Sequence, residues 1–178
     1  DSSMISYGDE TLAIRVIDVA TGRRTLVDRG TYRRGGFDPR ATWSPDGKWL
    51  AYVRDLPNLY GAAFLWSRET GKTVRLTDGL ASVSAVEFDR AGRHLLLLAS
   101  TDVGLGQESQ DIASLAKATV TSSLYAIVLR KDDPSPLVPE SDEEPDGRPA
   151  AAEKKDPFRI DLDGIEKRMV ALPVPAGS

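Results

Sequence analysis

An all-β chain of stacked, blade-like sheets is the predicted fold class, and three observations predict it. First, Trp43-Ser44-Pro45-Asp46-Gly47-Lys48 and the strand Trp49-Leu50-Ala51-Tyr52-Val53 return as Phe88-Asp89-Arg90-Ala91-Gly92-Arg93 and His94-Leu95-Leu96-Leu97-Leu98. The period is 45 residues, from position 43 to position 88. A self-match of about 40–45 residues in an all-β chain is the period of a propeller blade. Second, both strands are apolar at successive positions instead of alternating, so both of their faces need cover. Third, an apolar strand, a Thr-Gly-base turn and a second strand occur once around Gly22 and again around Gly71. A propeller ring takes about four to eight blades. The 178 residues supply fewer than four at this period, so the chain is expected to form part of a larger ring, about two to three four-stranded blades of it.

The elements follow in order. Thr11 to Val19 is β-branched and apolar, Ala20-Thr21-Gly22-Arg23-Arg24 makes a turn, and Thr25-Leu26-Val27 resumes as a strand. This reads as the outer hairpin of a half blade spanning 1–30. A full blade is expected over 41–87. Its inner hairpin turns at Ser44-Pro45-Asp46-Gly47, where Pro pre-sets φ, Asp bonds its own backbone and Gly accepts φ > 0. Its outer hairpin is Phe64-Leu65-Trp66, then Ser67 to Lys72, then Thr73 to Leu76. A third blade is expected over 88–138. It has an insert at 100–122, in which Glu108 to Ala118 carries helical spacing, and it resumes at Ser123 to Leu129. Residues 139–157 are rich in proline, acid and small residues, and such composition makes a linker. The alternation Phe158, Ile160, Leu162 marks 158–178 as a strand, expected to open a following domain.

Composition excludes several function classes. Net charge is −4 with Lys and Arg interspersed, which gives no footprint for nucleic acid. The longest apolar run, Leu95 to Ala99, is far below the roughly 18 residues of a membrane span. There is no cysteine, hence no disulfide or thiolate metal site. Asp1-Ser2-Ser3 carries no secretory signal and reads as an internal boundary.

The Trp-Ser-Pro-Asp-Gly-Lys turn followed by an apolar strand resembles the repeat of TolB-like propellers. The order of segments resembles, more narrowly, the propeller region of tricorn-type serine proteases. The segments are Asp55-Leu56-Pro57-Asn58 before Phe64-Leu65-Trp66, Leu76-Thr77-Asp78-Gly79, Phe88-Asp89 through Asp102, Leu124 to Asp132, Pro134-Ser135-Pro136, Pro139 to Glu144, and Ile160 to Pro175. In that family a six-bladed ring precedes a seven-bladed one, a PDZ-like domain and a serine peptidase core. The resemblance implies that Asp1 to about Val138 are later blades of the first ring and that Arg159 to Pro175 lead into the second. It implies a non-catalytic section that gates or channels peptides toward a peptidase core outside this chain. The implied partners are the remaining blades, the peptidase domain and peptides, with a homo-oligomer also open. A TolB-like interaction module without hydrolase activity is the alternative. A prolyl-oligopeptidase-like parent is a third, and would need a Gly-x-Ser-x-Gly turn downstream. The family's nucleophile and base match no position here. Ala91 departs from the repeat's Asp, so that turn is expected to lose an Asx bond.

No catalytic, cofactor or metal site is predicted. His94 is the one histidine and so the one candidate base of a Ser-His-Asp set, but it aligns with Trp49, a position that packs between blades. Asp46 and Asp89 read as turn formers. Asp142, Glu143 and Glu144 lack the alternation of a calcium loop and read as solvated linker. Arg33 and Arg34 beside Gly35-Gly36 read as a solvated crossover loop, with peptide carboxylates as the alternative ligand. Trp43, Trp49 and Trp66 fall at repeat positions and read as core.

Overall fold

The computed structural model describes residues 3–31, 40–103, 120–137 and 157–177. The described residues form three antiparallel sheets. Sheet one is β1 (Met4–Gly8), β2 (Ala13–Asp18) and β3 (Arg24–Arg29) in that order. Sheet two is β4 (Ala41–Trp43), β5 (Trp49–Asp55), β6 (Gly61–Ser67) and β7 (Thr73–Arg75). Sheet three takes β8 (Ser82–Phe88), β9 (His94–Ser100), β10 (Ser123–Val128) and β11 (Met169–Ala171). Each sheet is an up-and-down meander, the topology of a propeller blade, and the expected all-β class holds.

The repeated turn works by polar bonds that the sequence writes twice in different letters. The Ser44 hydroxyl accepts the Trp49 amide at 3.0 Å and donates to Asp46 Oδ1 at 2.6 Å, while Asp46 accepts the Lys48 amide at 3.1 Å. The Gly47 amide closes the turn on the Ser44 carbonyl at 2.8 Å, with Gly47 at φ 68°. In the second copy Ala91 does not leave the turn short of bonds. Asp89, at the place of Ser44, accepts the amides of Arg93 at 2.8 Å and His94 at 3.1 Å through one carboxylate oxygen.

Sheet two is sandwiched, which explains its lack of alternation. On β5, Leu50 and Tyr52 face sheet one with Ile14, Val16, Phe64 and Trp66. Ala51 and Val53 face sheet three with Leu65, Val83, Val86, Phe88, Leu95 and Leu97. Every residue of β6 is buried. Lys48–Val53 and His94–Leu98 lie in separate sheets, as stacked blades require.

Four boundaries differ from expectation. The half blade has three strands, because Met4–Gly8 pairs with β2 in continuous register. Ser82–Glu87 does not end the second blade; it is the first strand of sheet three, running into its own turn at Phe88. Residues 158–178 do not open a following domain. Met169–Ala171 pairs with Tyr125–Ile127 and supplies the fourth strand of sheet three. Phe158, Ile160 and Leu162 form no strand and instead pack against the core between sheets two and three. The helical spacing at 108–118 and nearly all of the acidic stretch 139–157 lie outside the described residues.

The 157–168 segment is held as a strap. Ile165, opening a 3₁₀ turn over Ile165–Arg168, is fully buried. Phe158 meets Phe88 edge-on at 6.0 Å between centroids. The Arg168 guanidinium donates to the carbonyls of Val128 at 2.9 Å, Asp163 at 2.9 Å, Leu129 at 3.4 Å and Asp161. These bonds bring β11 back to β10 across the long excursion.

Candidate functional site

His94 is committed to its own turn. Its Nδ1 lies 3.0 Å from Asp89 Oδ2, the carboxylate whose other oxygen takes the turn amides. The pair is local, five residues apart, and rebuilds the turn with groups different from those of Ser44 and Asp46. His94 sits on the face of β9 shared with Leu96 and Leu98, whereas Trp49, its repeat mate, packs between sheets two and three. Asp46 is likewise occupied by Ser44 and Lys48. Among the described residues no three His, Cys, Asp or Glu side chains gather as a metal set. Arg33, Arg34, Asp142, Glu143 and Glu144 lie outside the described residues.

The polar chemistry concentrates at the junctions between sheets. At the first junction Asp28 of β3 receives the Tyr52 hydroxyl at 2.7 Å and pairs with Arg54 Nε at 2.8 Å. Arg54 also lies over the Phe64 ring at 4.4 Å, and Tyr52 stacks on Phe64 at 5.5 Å. Burial, with the Asp28 carboxylate beside it, pushes the Tyr52 hydroxyl far above its ordinary range. An aspartate on the outer strand of one sheet thus ties the second strand of the next. The sequence reading missed this set, since Tyr52 and Arg54 look like ordinary strand residues and Asp28 lies in another repeat.

At the second junction Thr42 donates to Glu87 at 3.0 Å and Arg40 to the Ser84 carbonyl at 3.1 Å. Gly61 approaches Val83 so closely that a Cβ would stand 2.1 Å from the Val83 carbonyl oxygen. Asn58 donates to the Gly79 carbonyl at 3.0 Å and holds the next turn.

A cavity of about 100 Å³ lies at the first junction and is lined by Ser3, Met4, Trp43, Ser44, Pro45 and Gly47. Trp43 meets Trp66 edge-on at 6.3 Å, and its buried indole Nε1 has no hydrogen-bond partner. Small-molecule sites run to about 300–1,000 Å³. This space fits a side chain or a stretch of backbone, not a cofactor. Trp66 is a buried core residue as expected, whereas Trp43 is half-buried, packs against that core and walls this opening.

No protein-family model matches the sequence, and no curated protein matches it. The fold is similar to solved structures. The crystal structure of the tricorn protease superposes with a TM-score of 0.70 at 20% identity, covering 98% of this chain and 16% of that one. A TolB protein from Agrobacterium tumefaciens gives a TM-score of 0.51 at 17% identity, covering 72% of this chain and 42% of that one. The chain therefore spans about a sixth of the length of the tricorn protease chain and about two fifths of the TolB chain. At these identities the likeness establishes the propeller fold.

Proposed function

We propose that this chain is a non-catalytic section of the six-bladed ring of a tricorn-like serine peptidase, gating or channelling peptides toward a peptidase core outside it. The observation that carries the reading is the superposition over 98% of the chain, which takes in the strap and the late outer strand as well as the repeats. The chemistry of the described residues agrees. Their polar groups join sheet to sheet, and the one histidine is spent on a turn. A rigid wall of this kind contributes to hydrolysis by selecting what reaches the catalytic residues, not by touching the scissile bond.

The test is peptide hydrolysis by the full-length polypeptide that contains this chain. The expected result is cleavage of short peptides with folded proteins spared, and Asp89→Ala and His94→Ala variants that lose stability but keep kcat. Absence of peptidase activity in the full-length polypeptide would overturn the reading. A TolB-like interaction module is the second reading, favoured by the likeness over 72% of the chain. It predicts partner binding with no hydrolysis, and no second ring or peptidase core after Pro175.

A further inference from the structure

We infer that residues 157–171, the strap together with β11, form a detachable latch. They leave the body of the chain as a unit while its sheets stay folded, and the groove they vacate accepts the same segment supplied in trans. Chain order sets this segment apart. In sheets one and two a tight turn joins the last two strands, closed by the Gly22 amide on the Asp18 carbonyl and the Gly71 amide on the Ser67 carbonyl, each at 2.8 Å. In sheet three β10 ends at Val128 and β11 begins at Met169, so residues 129–168 stand where the other sheets have that turn. Closing so long a connection costs more chain entropy than closing a tight turn, and the segment's own contacts supply the difference.

Those contacts are of the kind that hold a docked peptide. Met169, Val170 and Ala171 stand opposite Ile127, Ala126 and Tyr125 as an added strand. Ile165 is fully buried and serves as the anchor. Phe158 seats edge-on against Phe88 and over Gly92, where a Cβ would stand 2.8 Å from its ring. Hydrogen bonds to the end of β10 supply the polar half. The Asp161 amide donates to the Leu129 carbonyl at 2.9 Å, and the Lys131 amide to Asp161 Oδ2 at 3.0 Å. The Arg168 guanidinium donates to the Val128 and Leu129 carbonyls. Main-chain bonds for affinity and side-chain pockets for register are how a sheet binds a strand that is not its own. The outer ion pairs, Lys131 with Asp163 and Arg159 with Asp132, are exposed and hold weakly. The body keeps a core without the segment, because Ala51, Val53 and Leu65 of sheet two pack with Val83, Val86 and Leu97 of sheet three. A unit with one deep anchor on such a body opens at a lower free energy than the whole fold. The latch goes beyond the peptidase reading and does not rest on it.

The experiment is fluorescence anisotropy of the 178-residue chain with a labelled peptide of residues 157–177. In the parent chain the tethered segment competes at an effective concentration on the order of millimolar. In an Ile165→Ala, Arg168→Ala double variant the tethered copy is weakened while the peptide keeps the parent sequence. Saturable binding to the double variant is expected, at least about tenfold tighter than to the parent. A peptide carrying Ile165→Asp should not bind, because its anchor would bring a charge into an apolar site. Circular dichroism melts of the double variant should still show a cooperative transition of the body. Equal binding by parent and double variant overturns the inference, since the peptide then sits elsewhere. So does a folded double variant that takes up no peptide. Loss of the cooperative melt overturns it too, because the segment would then be part of the core.

Discussion

Gly61 lies where β6 runs against β8 with no room for a side chain, and its lack of one is a packing requirement, not a turn requirement. A Cβ there would overlap the Val83 carbonyl oxygen at 2.1 Å and press on Val53 at 3.0 Å. Backbone cannot swing aside as a side-chain tip does, so Gly61→Ala should cost about 3 kcal/mol through forced separation of β6 and β8. Gly47→Ala meets no atom within 4 Å but must hold φ near 68°. Its cost should be about 1 kcal/mol, from the left-handed backbone alone. Urea midpoints of the two variants separate the mechanisms by their size. Tyr52 makes a further point at this scale, since its ring is fully buried while its hydroxyl reaches Asp28. Tyr52→Phe should cost about 1 kcal/mol, one hydrogen bond, with the stack on Phe64 kept. In the parent, absorbance at 295 nm should show one tyrosine that stays protonated through the ordinary phenol range and ionises only on unfolding, because burial opposes its charged form.

Strands and turns were legible in the sequence wherever their cause is local. The Pro-Asp-Gly turn, the Thr-Gly turns and the doubly apolar strands β5 and β9 are written in adjacent residues, and the structure has them there. β1 is not legible in the sequence because Met-Ile-Ser-Tyr-Gly is short and lacks a β-branched run; only its pairing with β2 makes it a strand. The place of β11 in sheet three is not legible, because its partner lies more than 40 residues back and nothing in Met169-Val170-Ala171 names Tyr125–Ile127 as that partner. The junction set of Asp28, Tyr52 and Arg54 was illegible for the same reason. The strap that delivers β11 can be tested as an element. Ile165→Ala should cost about 3 kcal/mol, since it empties a fully buried site under the 3₁₀ turn. Acid should loosen the strap as well. The Arg159 hydrogen bond holds Asp132 below its ordinary pKa, and the Lys131 hydrogen bond does the same for Asp163. A carboxylate whose folded pKa is depressed stabilises above its unfolded value of about 4 and loses that contribution as pH falls through the folded value. Amide exchange at Asp161, whose N–H bonds the Leu129 carbonyl, should therefore accelerate below about pH 4 relative to its intrinsic rate. An Asp132→Asn, Asp163→Asn double variant should flatten that dependence. Both ion pairs are exposed, so the effect is confined to the strap and leaves the global midpoint nearly unmoved.

Three stacked sheets leave two end faces, and their compositions favour head-to-tail contact in the isolated 178-residue chain. On sheet one Ile5 and Leu26 are 54% and 49% exposed, and Ile5 stands opposite Ile17. On sheet three Leu98, 38% exposed, shares its face with Leu96 and His94. These faces are the two sides of one repeat, so the contact that sheet one makes with sheet two is the pattern for sheet three of one copy meeting sheet one of another. Such contact is heterologous, and it closes into a ring where the rotation allows it. Two copies bring six sheets, within the range of about four to eight that closed propellers use. Sedimentation velocity should therefore show association that grows with concentration toward a dimer. Because the contact uses both faces, Ile5→Lys alone or Leu98→Lys alone should weaken it. A mixture of the two variants keeps one unaltered pair of faces and should associate more than either variant by itself. An isologous contact predicts the reverse, since each face would meet only its own kind and the mixture would gain nothing. A monodisperse monomer at about 100 μM would show that neither end face seeks cover.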